Sequence, residues 1–141
     1  MPNIRHQLEI QAPLSHVFDL LTLPDGLNNW WTLECTGTPE LGAEYRLYFG
    51  PEYDWRAVVS HVLPGEAITW SIVDAMDDWL PTQFGFELEQ TAKGCTLRFF
   101  HLNWQEESDH FAITTYCWAQ LLRGLKDLAE TGTIVPFECR N

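Results

Sequence analysis

Positive charge is scarce in this sequence. Eight lysines and arginines stand against twenty aspartates and glutamates, a formal net charge of −12. Arg5, Arg46, Arg56, Lys93, Arg98, Arg123, Lys126 and Arg140 are scattered rather than gathered into a patch. A chain of this balance repels phosphate backbones and anionic membrane surfaces, so no nucleic-acid partner is expected. Long apolar runs are lacking as well. None approaches the ~18 to 20 residues that span a bilayer, and none near the N-terminus has the form of a secretion signal, so no membrane insertion is expected. Cys-x-x-Cys pairs are absent. Cys35, Cys95, Cys117 and Cys139 lie far apart and read as reduced thiols of a cytoplasmic protein. His6, His16, His61, His101 and His110 show no metal-ligand spacing with one another or with cysteine, so no metal is expected. A glycine-rich phosphate loop, a dinucleotide fingerprint and a nucleophile elbow are all missing, and no cofactor is expected.

What is present is ordinary globular material with one excess. Apolar residues make up 45% and charged residues 20%, enough burial to fold unaided. The length matches one domain, residues 1–141. Seven Trp, eight Phe and four Tyr bring the aromatic share to 13%. Such side chains either fill a core or line a small-molecule pocket, and both readings stay open on composition alone.

Periodicity then changes along the chain. Ile4, His6, Leu8 and Ile10 alternate as a half-buried strand does. Pro13 opens a segment in which Leu14, Val17, Phe18 and Leu21 recur at helical steps, and Asp25 to Trp31 reads as a second short helix or helical turn ending in two adjacent tryptophans. From Leu33 onward turn residues punctuate strands, at roughly 43–49, 54–62, 67–75, 83–91 and 95–102. Pro64-Gly65 and Ala92-Lys93-Gly94 predict tight hairpins and hence sequential antiparallel pairing. Finally, Phe111, Thr115, Trp118, Leu122, Leu125 and Leu128 or Ala129 form one stripe of a helix from Ser108 to about Gly132. Ser108 or Asp109 can cap its start, and Glu106, Glu107 and Asp109 complement its dipole. The predicted class is therefore α+β: a curved antiparallel sheet of about six to seven strands around a long C-terminal helix, with two short helices after strand one. A sheet of that size coils, and the final helix is the element long enough to cover its concave face.

The order and spacing of several short pieces carry a resemblance. They are Ile10-Gln11-Ala12-Pro13 leading into Val17-Phe18, the Trp30-Trp31 pair, Leu41-Gly42, Pro64-Gly65-Glu66 before Ile68-Thr69-Trp70, and Thr96 to His101. Trp118 before Leu121 to Lys126 and the closing Gly132 complete the set. From about Ile4 to Gly132 the chain resembles the START-like (SRPBCC) helix-grip superfamily of polyketide cyclases, birch-pollen-allergen-like proteins and lipid-transfer domains. Within it, the heat-shock-protein-90 ATPase activator homologue family is the nearest match. The resemblance implies the helix-grip fold. It implies no single activity, because binding, transfer, cyclase and co-chaperone functions share that scaffold.

Strand parity nominates inward faces: Ile68, Trp70 and Ile72; Phe84, Phe86 and Leu88; Leu97, Phe99 and His101. Phe111, Trp118 and Leu122 on the helix oppose them, with Trp30 and Trp31 near a mouth. The candidate ligand-binding set is thus Trp30, Trp31, Trp70, Phe84, Phe86, Phe99, His101, Phe111, Trp118 and Leu122, and the alternative is that all of these are packed core. Three functions follow. The first is a binding protein for a small hydrophobic molecule. The second is a cyclase- or hydrolase-type enzyme with His101 as acid/base and Tyr48, Tyr53 or Tyr116 assisting. The third is a co-chaperone-like interaction module presenting Trp55, Trp79 and Trp104 as one exposed patch. Both monomer and homodimer are compatible with the sequence.

Overall fold

The computed structural model describes residues 1–140. Strand β1 (Ile4–Ile10) is followed by helices α1 (Leu14–Thr22) and α2 (Pro24–Asn28). Six strands come next: β2 (Glu34–Thr36), β3 (Glu44–Gly50), β4 (Tyr53–Leu63), β5 (Ala67–Asp74), β6 (Gln83–Gln90) and β7 (Cys95–Leu102). The long helix α3 (Asp109–Thr131) closes the sequence of large elements, and single 3-10 turns occupy Asp77–Trp79 and Phe137–Cys139. All strands join one antiparallel sheet in the order β1-β7-β6-β5-β4-β3-β2. The α+β helix-grip class expected from the sequence is the observed one. Two local differences stand out. The three-residue β2 is too short to show an alternation, and α2 itself ends at Asn28, with Trp30 and Trp31 in the turn that continues from it, their N–H groups donating to the Leu27 carbonyl.

Curvature has identifiable causes. Register shifts interrupt β3 beside Phe49 and β4 beside both Ala57 and Ser60, and such irregularities bend a strand and sharpen its twist. The inward-facing residues of β5, β6 and β7 follow the predicted parity. Ile68, Trp70, Ile72, Phe84, Phe86, Leu88, Leu97, Phe99 and His101 are all buried, while Glu87 and Glu89 face out.

Helix α3 lies over this face. The Ser108 hydroxyl accepts the Phe111 N–H at 3.1 Å at its start. At its end Gly132 adopts φ 77° and donates its N–H to the Leu128 carbonyl, the left-handed stop that favours glycine. The buried stripe runs through Thr114, Trp118, Leu121, Leu122, Leu125 and Leu128. Lys126 adds a tie to β1 through the Glu9 carbonyl at 2.5 Å, and His6 adds another through the Thr115 carbonyl at 3.2 Å. Among the described residues no helix is long and apolar enough to cross a membrane.

Candidate functional site

Most of the space between sheet and helix is filled by rings. Trp70 stacks on Phe84 with centroids 5.0 Å apart, Phe86 meets Phe99 at 5.4 Å, and Phe99 meets Trp118 at 4.4 Å. Leu122 is buried on the facing side of α3. Each such ring buried fully contributes about 1.5 to 3 kcal/mol to the fold.

Open volume begins where this packing stops. A cleft of about 650 Å³ lies between the first half of α3, the β3–β4 end of the sheet, the loop after β5 and the C-terminal tail. Trp31, Phe49, Trp55, Trp79 and Trp118 form its aromatic wall. Successive rings touch: Trp118 to Trp31 at 4.9 Å, Trp31 to Phe49 at 5.4 Å, Phe49 to Trp55 at 5.1 Å and Trp55 to Trp79 at 4.5 Å. At the rim, Tyr53, Met76 and Ile113 are 44%, 41% and 59% exposed, an apolar mouth open to solvent.

The nominated residues therefore divide. Trp31 and Trp118 line the cleft. Trp30 lines a neighbouring pocket of about 190 Å³ and gives its indole N–H to the Leu20 carbonyl. Trp70, Phe84, Phe86, Phe99 and Leu122 lie in the packed layer behind, and Phe111 packs edge-on against Trp104. Phe49 and Trp55 follow the same inward alternation as Tyr45 and Leu47 on β3 and Ala57 and Val59 on β4. That signal is capable of finding them. Trp79 comes from a 3-10 turn with no periodicity to read. The exposed tryptophan patch required by an interaction module is not there: Trp79 is 5% and Trp104 1% exposed, because both pack around His101.

His101 is completely enclosed. Trp118 Nε1–H donates to its Nδ1 at 3.2 Å, which leaves the proton of the neutral ring on Nε2; Nε2–H donates to Thr82 Oγ1 at 2.9 Å. The Thr82 hydroxyl in turn donates to the Trp79 carbonyl. Burial, reinforced by His110, pushes the His101 pKa down to about 3. Both nitrogens are occupied and no carboxylate bonds to the ring, so His101 lacks the orienting partner and the access that an acid/base requires. Its chemistry here is to hold Trp118 and Trp79, two walls of the cleft. Tyr48 lies under Arg46 and Tyr116 is exposed; of the three tyrosines considered as helpers, Tyr53 lines the cleft.

Two polar groups at the cleft have no precursor in the sequence pattern. His110 Nδ1–H donates to Asp78 Oδ2 at 2.5 Å, and the ring lies nearly parallel to Trp79. Asp78 arrives from the aperiodic turn after β5, so chain spacing gives no hint of the pair. Arg140 enters from the tail, with Nε donating to the Val135 carbonyl at 2.9 Å and Nη1 to the Thr32 carbonyl at 3.2 Å.

Comparison with known proteins gives a consistent picture. Residues 11–130 match the family model described as Activator of Hsp90 ATPase homolog 1-like protein. The solution structure of the Aha1 dimer from Colwellia psychrerythraea superposes with a TM-score of 0.86 at 31% identity, covering 94% of this chain and 99% of that one. A Staphylococcus saprophyticus protein superposes at 0.81 with 15% identity, covering 95% and 96%. CalU16 from Micromonospora echinospora superposes at 0.72 with 20% identity, covering 95% and 76%. These last two are likenesses of fold. No curated protein matches the chain.

Proposed function

We propose, from the premise that the chain belongs to the Activator of Hsp90 ATPase homolog 1-like family, that it is a binding protein which holds a small, largely apolar molecule in the cleft beside α3. The observation that carries this reading is the continuous wall of Trp31, Phe49, Trp55, Trp79 and Trp118 around about 650 Å³ of open volume. Sites for small molecules are concave, mostly apolar and of roughly 300 to 1,000 Å³. Rings already packed against one another lose little freedom when a ligand arrives, so binding costs less ordering entropy. The contribution of the nominated core residues is to stiffen the wall from behind, with Trp31 and Trp118 touching the ligand.

Native mass spectrometry of freshly purified protein, compared with the denatured mass, tests this. The expected result is a surplus mass of a few hundred daltons, or displacement of an apolar dye from the cleft when a flat hydrocarbon is added. A protein that is empty and also binds no dye overturns the reading. Cytoplasmic residence is proposed on the unpaired state of Cys35, Cys95, Cys117 and Cys139. The Colwellia relative is a dimer. A homodimer is proposed for this chain by the same likeness, with light scattering after gel filtration as its check.

A further inference from the structure

The basic residues of this acidic chain are almost all neutralised by neighbours or left in water. Arg46 and Arg56 pair with Asp54, Arg98 with Glu89, Arg123 with Asp127 and Lys126 with Glu130. Arg5 and Lys93 are exposed. Arg140 is the exception: half-buried, it forms no ion pair among the described residues although the chain has 20 carboxylates to offer. Carbonyls of Thr32 and Val135 hold its Nη1 and Nε, while Nη2 makes no hydrogen bond among the described residues. Burial removes water from this guanidinium and lowers its pKa, opposed by the charge of Glu138. The group lines the cleft together with Trp31, Trp118 and Phe137.

We infer that the cleft takes an amphipathic anion, a flat apolar body with one carboxylate or similar oxyanion, whose charge is met by Arg140. The inference rests on the binding reading above and narrows it to a chemical class. Guanidinium is planar and weakly hydrated, and it suits a carboxylate at the edge of an apolar site. The two backbone carbonyls fix its orientation in advance. The overall charge of −12 works against any anion, so a preference for one has to come from a local cation.

Calorimetric titration at neutral pH with 2-naphthoate and with the neutral, nearly isosteric 2-naphthamide separates the possibilities. The acid is expected to bind the unaltered protein about tenfold more tightly than the amide, the scale of one charge-assisted hydrogen bond. Arg140→Gln is expected to abolish that preference, and Arg140→Lys to restore part of it. Equal affinities, tighter binding of the amide, or a preference that survives in Arg140→Gln overturns the inference and leaves the cleft as a binding site. Binding of neither compound overturns the inference for this class of ligand; the binding reading itself stands or falls on the co-purification and dye measurements. The comparison in the unaltered protein needs no variant, so a folding defect in Arg140→Gln does not block the test.

Discussion

Trp118 gives its indole N–H to Nδ1 of His101 across 3.2 Å, joining α3 to β7 in a layer that is otherwise aromatic packing. Three other buried tryptophans, Trp70, Trp79 and Trp104, have indole nitrogens without a hydrogen-bond partner. The bond to Trp118 therefore depends on a histidine placed as an acceptor, and the Thr82 hydroxyl keeps that histidine in the required tautomer.

A pH dependence of stability follows from His101. The unfolded ring takes up a proton below its ordinary value of 6.5, whereas the folded one resists until about 3. The unfolded state binds more protons throughout that window, so stability is full above pH 6.5 and falls as the pH drops. The expected slope is about 1.4 kcal/mol per pH unit within the window, or about 2 kcal/mol between pH 7 and pH 5. Urea unfolding at the two pH values measures it. In His101→Asn, which keeps an acceptor near Trp118, the difference should shrink by about that amount; an unchanged slope contradicts the assignment.

Trp118→Phe removes the donor and leaves His101 Nδ1 buried without a partner. The combined loss of volume and hydrogen bond is expected to cost roughly 2 to 4 kcal/mol. A double-mutant cycle with His101→Leu, which removes the acceptor, should show coupling, because each substitution then deletes the same bond. Strict additivity in denaturant titrations argues that the contact carries no energy.

Ile113 offers a way to separate binding from folding. It stands on the rim of the cleft at 59% exposure, so Ile113→Glu should change stability by no more than about 0.5 kcal/mol. A carboxylate at an apolar mouth, however, is expected to weaken binding of an apolar dye several-fold. Equal dye fluorescence in the two proteins places dye binding elsewhere.

Much of this architecture was legible because it obeys simple periods. Alternation along β5, β6 and β7 identified the inward faces, and β7 begins and ends at the predicted Cys95 and Leu102. The limits of α3 could be read from Ser108 and Gly132, one a side-chain acceptor and the other a residue able to take positive φ. The cleft was less legible. Its distinguishing groups, Trp79, Phe137 and Arg140, belong to segments with no repeat, and their meeting depends on tertiary placement. Parity says which way a ring points; it does not say how completely the opposing helix fills the space. Here the rings of Phe99 and Trp118, 4.4 Å apart, occupy the centre and displace the open volume to one end.

Ser108→Ala tests the start of the helix that bears Trp118. Loss of its bond to the Phe111 N–H at 3.1 Å should cost about 1 kcal/mol. Ser108→Asp, which can accept the same bond and favours the helix dipole, should retain most of the stability in thermal unfolding. Identical melting for Ala and Asp would remove the cap from the account of α3.

The strand order imposes a schedule on synthesis. β1 leaves the ribosome before the other six strands of this sheet, yet its sheet partner is β7, with Ile4 opposite His101 and Ile10 opposite Cys95. Residues 4–10 must wait with unpaired backbone groups while the hairpins from β3 onward assemble in sequence, and the grip closes when its oldest strand is captured by one of its youngest. Closure over such a separation is slow. The nascent chain thus passes through a stage in which an open edge of β7 and a free β1 coexist, the stage at which exchange of β1 between two copies is easiest.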